Sequence, residues 1–295
     1  MFLPKILLVA GILLDPTFIE KSAGQAPICT SSQIGQQGGL TGCTCRSFSG
    51  TGQCANRCPA DPAGCGQQSP AGFYLKDCSA DCTSDDNKDC EACGVWLSLV
   101  CQCLQTGSCP QSKPSGSFWV QLGRALVTTN VAIDNIVTLQ KSHAGLAPFG
   151  WEFGQAQQSD PNTQGLAINP IHTITQDQIH MHICQKNTEM SKFLATPPGG
   201  ISSYSSLAPI SLPGTFQRDK QQTTMWCQAS QAPNTRISGD DVSAAINKVL
   251  LGMFGSVCNY NVAAAVIRDD NGYTWACVTA DRDDTEHRFL VNCPS

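Results

Sequence analysis

"TQDQIHMHICQ", residues 175–185, places two of the chain's five histidines one residue apart, with a cysteine two positions later. Side chains of a β-strand alternate between its two faces, so the apolar residues of this stretch would face the core. Gln178, His180, His182 and Cys184 would then share the opposite face, with successive side chains about 6.6 Å apart. We predict a strand whose polar face borders solvent or a cleft.

Two imidazoles at this spacing suit chemistry on phosphorus. A neutral imidazole, with an ordinary pKa of about 6.5, can attack a phosphorus atom while its neighbour binds or protonates the leaving oxygen. The same spacing also fits a metal pair on a strand, with Cys184 as a third ligand beside His180 and His182. The residues alone leave both interpretations open.

The residues upstream favour the phosphate interpretation. The stretch "GLAINPIHTITQDQIHMHIC", residues 165–184, resembles the histidine-triad superfamily of nucleotide hydrolases and transferases, in which an Asn ends one strand and a Gln precedes the histidine strand. It is most similar to the CDP-diacylglycerol pyrophosphatase (CDP-diacylglycerol phosphatidylhydrolase) family, and a weaker resemblance extends over residues 94–295. The resemblance implies an α+β fold, in which a histidine-triad-like antiparallel sheet has flanking helices.

The resemblance also implies which histidine attacks. In the superfamily the nucleophile is the middle residue of the triad. The interval of seven residues from Asn169 to Gln176 places His180 first, His182 in the middle and Cys184 third. This spacing favours His182 as the nucleophile and His180 as its catalytic neighbour.

A second register is open. If the row is Gln178, His180, His182, then His180 becomes the middle residue, and a disulfide at Cys184 would favour this register. In either register one histidine of the triad is replaced. The family also tends to carry a basic residue just before the "TQ" pair, where this chain has Ile174.

The mechanism implied by the resemblance has two steps and requires no metal or cofactor. His182 attacks the nucleotide-side phosphorus, phosphatidate leaves, and water then releases CMP from a nucleotidyl-histidine. Asn169 and Gln176 would hold phosphate oxygens, while Gln178 and Cys184 complete the substrate-binding face. The alternatives are that Asn169 is a turn residue that ends a strand and that Gln176 is solvated.

A different class of function fits the departures from the family pattern. The missing histidine and Ile174 would also suit a secreted, effector-like binding protein that keeps a degenerate hydrolase domain and binds an extracellular ligand through its cysteine-rich part. The hydrolase interpretation instead expects a nucleotide-lipid or nucleotide pyrophosphate substrate, reached at a membrane surface.

Composition excludes one class of partner. The net charge is −5 and only 14% of residues are charged, without a run of five like charges, so the chain lacks the basic footprint of a nucleic-acid-binding protein or a polybasic membrane patch. No βαβ alternation or glycine-rich phosphate loop is present. A bound nucleotide must therefore be held in another way.

The N-terminal part predicts secretion. Residues 1–18 carry one lysine and a short apolar run, and a small-residue region follows up to residue 26. This pattern over residues 1–26 is typical of a signal peptide, with a retained anchor as the alternative. Residues 27–93 are rich in Gly, Ser, Cys and Asp and too poor in large apolar residues to fold by core burial, which predicts a small module stapled by disulfides. Residues 94–295 form the predicted hydrolase domain.

Cysteine parity constrains the disulfides. Of eighteen cysteines, thirteen lie between Cys29 and Cys109 and five lie further on. Both sets are odd, so either a disulfide joins the two regions or two thiols stay free. Cys101 or Cys103 can close a short loop with Cys109.

Strand patterns recur through the predicted domain. Residues 117–122 and 125–133 predict a hairpin, and residues 135–139, "NIVTL", predict a further strand. A buried strand is predicted at residues 165–169. A second hairpin over 263–280 has Asn-Gly in its turn.

Helical patterns separate the predicted strands. We predict helices at residues 95–100, 149–158, 187–196 and 238–255. Asn187 or Thr188 would cap the third, and Ser238 or Asp240 the fourth. Residues 199–235 predict a loop with one strand near residues 223–229.

Overall fold

A computed structural model of the chain describes residues 26–36, 40–48, 81–112, 118–217, 224–281 and 285–293. The predicted signal peptide lies outside this part except for Ala26, as does much of the predicted cysteine-rich module. Within these ranges no helix is long and apolar enough to cross a membrane.

The fold is built on one antiparallel sheet. In the described part of the chain, nine strands follow one another in the order β1-β2-β3-β5-β4-β8-β9-β7-β6, and β10 pairs with β5 beyond that path. The strands are β1 (Gln111–Ser112), β2 (Trp119–Leu122), β3 (Leu126–Thr129), β4 (Gln164–Ile168), β5 (His180–Lys186), β6 (Ala208–Ser211), β7 (Thr224–Ala229), β8 (Val262–Arg268), β9 (Thr274–Ala280) and β10 (Leu290–Val291).

Seven α-helices formed by the described residues pack around the sheet. They are α1 (Ser31–Gly35), α2 (Cys101–Thr106), α3 (Ile136–Ser142), α4 (Ala147–Gln157), α5 (Thr188–Ala195), α6 (Gly239–Leu250) and α7 (Thr285–Phe289). A π-helical segment, Val95–Val100, leads directly into α2.

The strand register separates the two faces of the sheet. His182 lies opposite Leu126 on β3 and Ala167 on β4, so these three side chains project from one face, called here the histidine face. Met181 lies opposite Val127 and projects from the other face, called here the core face. The predicted alternation along residues 178–184 therefore matches the geometry of β5.

Helices cover the core face. Met181, Leu166 and Trp151 are fully buried there in a cluster formed with α3, α4 and α6. Caps explain where two of these helices begin: Asn135 accepts hydrogen bonds at the start of α3 and Ser238 at the start of α6. These side chains satisfy amide groups that a helix start leaves unpaired.

Two separate covers lie on the histidine face. The described cysteine-rich part, with the π-helical segment and α2, packs over β2 around Trp96, Val120 and Leu122. On the far side, α5, α7 and neighbouring turns pack over β4, β7, β8 and β9, where Leu194 and Phe289 are fully buried. Strand β5 and its histidines lie between the two covers.

Disulfides stabilise both covers. Six join described residues: Cys29–Cys43, Cys45–Cys101, Cys82–Cys93, Cys103–Cys109, Cys184–Cys293 and Cys227–Cys277. The prediction that Cys109 closes a loop with Cys101 or Cys103 is confirmed for Cys103. Such a density of disulfides is typical of oxidising compartments.

The pairing of the five C-terminal cysteines decides between the two alternatives left by their odd number. Cys258 is also disulfide-bonded, and the other four C-terminal cysteines pair with one another. Its partner therefore belongs to the N-terminal thirteen, so a disulfide joins the two regions.

The coarse fold prediction is confirmed as a mixed α and β protein with an antiparallel sheet, several helices and a disulfide-rich region. The strand predicted at residues 135–139 is wrong, because Asn135 caps a helix there. β6, β10 and α7 were not expected. β6 contains Pro209 and is an edge strand, the position in a sheet where proline is tolerated.

Candidate functional site

The candidate site lies on β5 between the two covers of the histidine face. Across β4 and β8, the row that begins at His182 continues through Ala167 and Ala265. Alanine side chains leave room above these strands, and α7 packs over both of them. This arrangement brings Glu286 of α7 to the histidine strand, although 104 positions separate it from His182 in the sequence.

His180 is held in one tautomer. Its Nδ1 is 2.7 Å from the backbone carbonyl oxygen of Gln178, and because a carbonyl can only accept, Nδ1 carries the proton and donates it. Burial lowers the pKa of His180, and the hydrogen bond to Gln178 partly offsets this effect. The ring is therefore neutral near pH 7, with an unprotonated Nε2 that has no hydrogen bond to any described residue.

His182 is held by a carboxylate. Its Nε2 is 3.2 Å from Oε2 of Glu286, and the same oxygen accepts a hydrogen bond from Nδ2 of Asn169 at 3.1 Å. Oδ1 of Asn169 in turn accepts from the backbone N–H of Glu286 at 2.9 Å. Asn169 therefore fixes both the backbone and the side chain of the residue that orients His182.

Two influences on the charge of His182 oppose each other. A carboxylate at the distance of Glu286 favours protonation. Burial, followed by the neighbouring His180 and His287, lowers the pKa of His182 to about 3. We treat the ring as neutral, because its Nδ1 is buried without a hydrogen-bond partner among the described residues, and a protonated ring would leave an N–H group unpaired there.

The two rings contact each other edge to face. Their centroids are 5.0 Å apart and their planes differ by 66°. His180 and His182 are each partly buried rather than exposed. The pair is therefore two adjacent neutral imidazoles, each oriented through one nitrogen by a different partner.

Gln178 lies on the predicted face but not in a cleft. It is 1% exposed, and its Nε2 donates to the carbonyls of Thr129 and Val131 at 3.0 Å each. Its Oε1 accepts from the backbone N–H of Ile133 at 3.2 Å. The expectation that the whole polar face borders solvent or a cleft is therefore wrong at Gln178, whose amide is occupied by the backbone that follows β3.

Gln176 contacts the cysteine-rich cover. Its Oε1 accepts a hydrogen bond from the backbone N–H of Val95 at 3.1 Å. The next residue, Asp177, donates its backbone N–H to the carbonyl of Ala92 at 2.8 Å. The interpretation of Gln176 as a merely solvated side chain is wrong, because this cover holds the segment that leads into the histidine strand.

Cys184 is bonded to Cys293. This bond removes Cys184 from the role of a thiolate ligand. Donor atoms of His182, Cys184, Glu286 and Cys293 lie within 4.8 Å of one another. Because Cys184 and Cys293 are joined to each other, only His182 and Glu286 of this group can bind a metal. The alternative metal site expected from His180, His182 and Cys184 is therefore not formed.

Glu286 is a site residue that the sequence did not predict. It lies in α7, a helix of five residues that follows the last hairpin recognised in the sequence, and no local pattern marks it as a partner of Asn169 or His182. Its buried carboxylate, 8% exposed, completes the site. His287, also left out of the sequence analysis, influences His182 through charge.

A scan against protein-family models found no match for the chain, and a search of curated proteins found none.

Proposed function

We propose that the protein is a secreted hydrolase that cleaves a nucleotide-linked pyrophosphate through a nucleotidyl-histidine intermediate, with His180 as the nucleophile. The observation that carries the proposal is the hydrogen bond from His180 Nδ1 to the carbonyl of Gln178. It leaves Nε2 with a lone pair, in the neutral form that attack on phosphorus requires. CDP-diacylglycerol is the first substrate to test, on the strength of the resemblance at residues 165–184.

The geometry favours His180 over His182, the reverse of the assignment from sequence spacing. Nδ1 of His182 is buried, and its Nε2 is engaged by Glu286 at 3.2 Å. Neither nitrogen can reach a substrate phosphorus unless the ring moves. The disulfide at Cys184 supports the same register.

The chemistry has two displacement steps. Nε2 of His180 forms a bond to the nucleotide-side phosphorus, the bond from that phosphorus to the bridging oxygen breaks, and phosphatidate leaves. The ring then carries a positive charge, which the carbonyl of Gln178 stabilises through Nδ1–H. Water attacks the same phosphorus in the second step, the N–P bond breaks, a proton of the water passes to solvent, CMP is released and the neutral imidazole is regenerated.

His182, Glu286 and Asn169 support the reacting ring. Burial keeps His182 neutral while Glu286 orients its ring against His180, so no second positive charge lies beside the nucleophile before reaction. Asn169 has both ends of its amide bonded to Glu286. We therefore assign it the role of positioning Glu286, in place of the phosphate contact expected from the family.

The test is capture of the intermediate. Purified protein is mixed with CDP-diacylglycerol or with a soluble dinucleotide pyrophosphate, quenched rapidly and examined by peptide mass spectrometry. A cytidylyl or other nucleotidyl group on His180 is expected, with no label in His180→Gln. His143→Gln is the matched control, because His143 lies at the end of α3, away from β5, and should label normally.

Other outcomes discriminate between the alternatives. Label on His182 would reverse the choice of nucleophile and keep the reaction class. A folded protein that is inert on lipid and soluble pyrophosphates alike, and that binds an extracellular protein or glycan, would support the binding function instead.

A further inference from the structure

The end of α6 carries a cluster of exposed apolar side chains. The described residues include seven large apolar side chains that are exposed, and three of them, Leu251, Met253 and Phe254, fall within four consecutive positions. Their exposed fractions are 80%, 64% and 37%. Single exposed apolar residues are common on protein surfaces, but a contiguous group indicates a contact surface. We call residues 251–255 the apolar loop.

Most backbone N–H groups of the apolar loop are hydrogen-bonded, three of them to carbonyls at the end of α6. Gly252 and Gly255 adopt positive φ angles of 72° and 110°, which allow the chain to turn tightly after α6. Four amide groups donate to backbone carbonyls: Leu251 to Asn247, Gly252 to Val249, Met253 to Lys248 and Gly255 to Gly252. Internal pairing of N–H groups lowers the cost of moving a loop out of water.

The charge and aromatic content of this region fit a lipid surface. Between residues 247 and 258 the only charged side chain is that of Lys248, so this segment itself carries no carboxylate that would repel an anionic headgroup. Phe254 stacks on Trp226, with ring centroids 5.9 Å apart and planes 29° apart. This contact anchors the apolar loop to β7 while leaving Leu251 and Met253 free to project.

The apolar loop lies at the same end of the sheet as His180. The chain passes from the loop into a turn at Asn259–Asn261, which packs against the turn at Ile171–Thr173. The second turn lies in the connection between β4 and β5, and β5 begins at His180. The apolar loop and the start of β5 therefore lie at one end of the sheet, with the loop beside Trp226 of the core-face cluster and His180 on the histidine face.

We propose that the apolar loop inserts into the surface of a lipid bilayer, with Leu251 and Met253 entering the apolar region. A stable protein interface buries about 800 Å² on each partner, which three side chains in a tight turn cannot supply. Insertion needs only a few apolar groups, since each buried side chain of this size strengthens partitioning by about tenfold or more. The link to a lipid substrate rests on the proposed function, but the contact itself does not.

The experiment is co-sedimentation with sucrose-loaded vesicles that contain no nucleotide lipid. One set is pure phosphatidylcholine and another contains phosphatidylglycerol. We expect the protein to bind both, and more tightly to the anionic set because of Lys248. Leu251→Asp with Met253→Asp should weaken binding by roughly 100-fold while leaving hydrolysis of a soluble dinucleotide unchanged.

Leu99→Asp is the matched control. Leu99 is 44% exposed in the cysteine-rich cover, so the change removes the same side chain and adds the same charge away from the apolar loop. It should leave vesicle binding unaltered. Vesicle binding that persists in the double variant, or that is absent in the wild type, overturns the proposal, as does self-association that the double variant abolishes without any vesicle binding.

The two proposals can fail separately. If the wild type binds vesicles through the apolar loop but cleaves no pyrophosphate, the lipid contact stands and the hydrolase assignment fails. If it cleaves soluble pyrophosphates without binding vesicles, the hydrolase assignment stands and the lipid contact fails.

Discussion

The two faces of the sheet are covered in different ways. On the core face, α3, α4 and α6 close over one continuous apolar cluster that includes Met181 and Trp151. On the histidine face, a disulfide-rich cover and a C-terminal cover bury separate clusters, with His180 and His182 between them. The continuous face therefore supplies the scaffold, while the discontinuous face supplies a site whose histidines lie on the sheet, with contacts from both covers around them.

Arg288→Ala should have the largest effect, because it breaks the C-terminal cover. Nη2 of Arg288 is 2.6 Å from Oδ2 of Asp281, and both side chains are 1% exposed. Loss of one partner leaves the other as a buried, poorly compensated charge, which should lower the free energy of unfolding by about 3–5 kcal/mol. Urea denaturation at pH 7.5 measures the change.

Lys192→Ala is the control in the same cover. Lys192 pairs with Glu189 on the exposed side of α5, where such pairs contribute little, so the urea midpoint should hardly change. If Arg288→Ala were equally mild, the buried pair would not be what holds α7 on the sheet.

Removal of the Cys82–Cys93 disulfide should destabilise the cysteine-rich cover. The bond spans 11 positions, and its loss should cost about 2–3 kcal/mol by the loop-entropy argument. Nearby, Ala92 and Val95 hold the segment that leads into β5. We therefore expect the double serine variant to lower the rate of nucleotidyl transfer in addition to stability.

The Cys29–Cys43 disulfide provides the matched comparison. It spans 14 positions in the same cover and makes no hydrogen bond to Gln176 or Asp177. Its double serine variant should lose similar stability and keep the wild-type rate at a temperature where both proteins are folded. Equal loss of rate in the two variants would mean that the cysteine-rich cover acts only through global stability.

The neutral state of the buried His182 determines whether the free energy of unfolding rises or falls with pH. The pKa of His182 is lowered to about 3, so below the ordinary value of about 6.5 the unfolded chain binds a proton that the folded site does not. The contribution of the neutral His182 ring to the free energy of unfolding is complete above about pH 6.5. It declines as the pH falls toward 3, by up to about 1.4 kcal/mol for each pH unit.

Chemical denaturation between pH 4 and pH 7.5 tests this sign. The difference between the wild type and His182→Gln isolates the contribution of this ring, because other groups titrate in both proteins. The wild type should lose stability more steeply as the pH falls. A difference that is constant with pH would argue against a buried neutral His182.

Local patterns were enough to predict much of the sheet, including β5 with its two histidines and the β8–β9 hairpin. They could not predict the partners of those histidines. Glu286 reaches Asn169 across 117 positions, and the amide of Gln178 is buried against residues that follow β3. Both outcomes depend on which surfaces cover the sheet, and this is decided by tertiary packing rather than by strand period.

The smallest expected effect concerns residues 135–139 on the core face, where a capped helix stands in place of the predicted strand. Its β-branched residues favour a strand, yet Oδ1 of Asn135 accepts from the amides of Val137 and Thr138 at 3.0 Å each, and Ile136 and Leu139 are fully buried. Asn135→Ala should cost about 1 kcal/mol, whereas Asn135→Asp keeps the acceptor and should cost less. If the two substitutions were equal in urea denaturation, the cap would not decide the helix, and burial of Ile136 and Leu139 alone would have to overcome the strand preference.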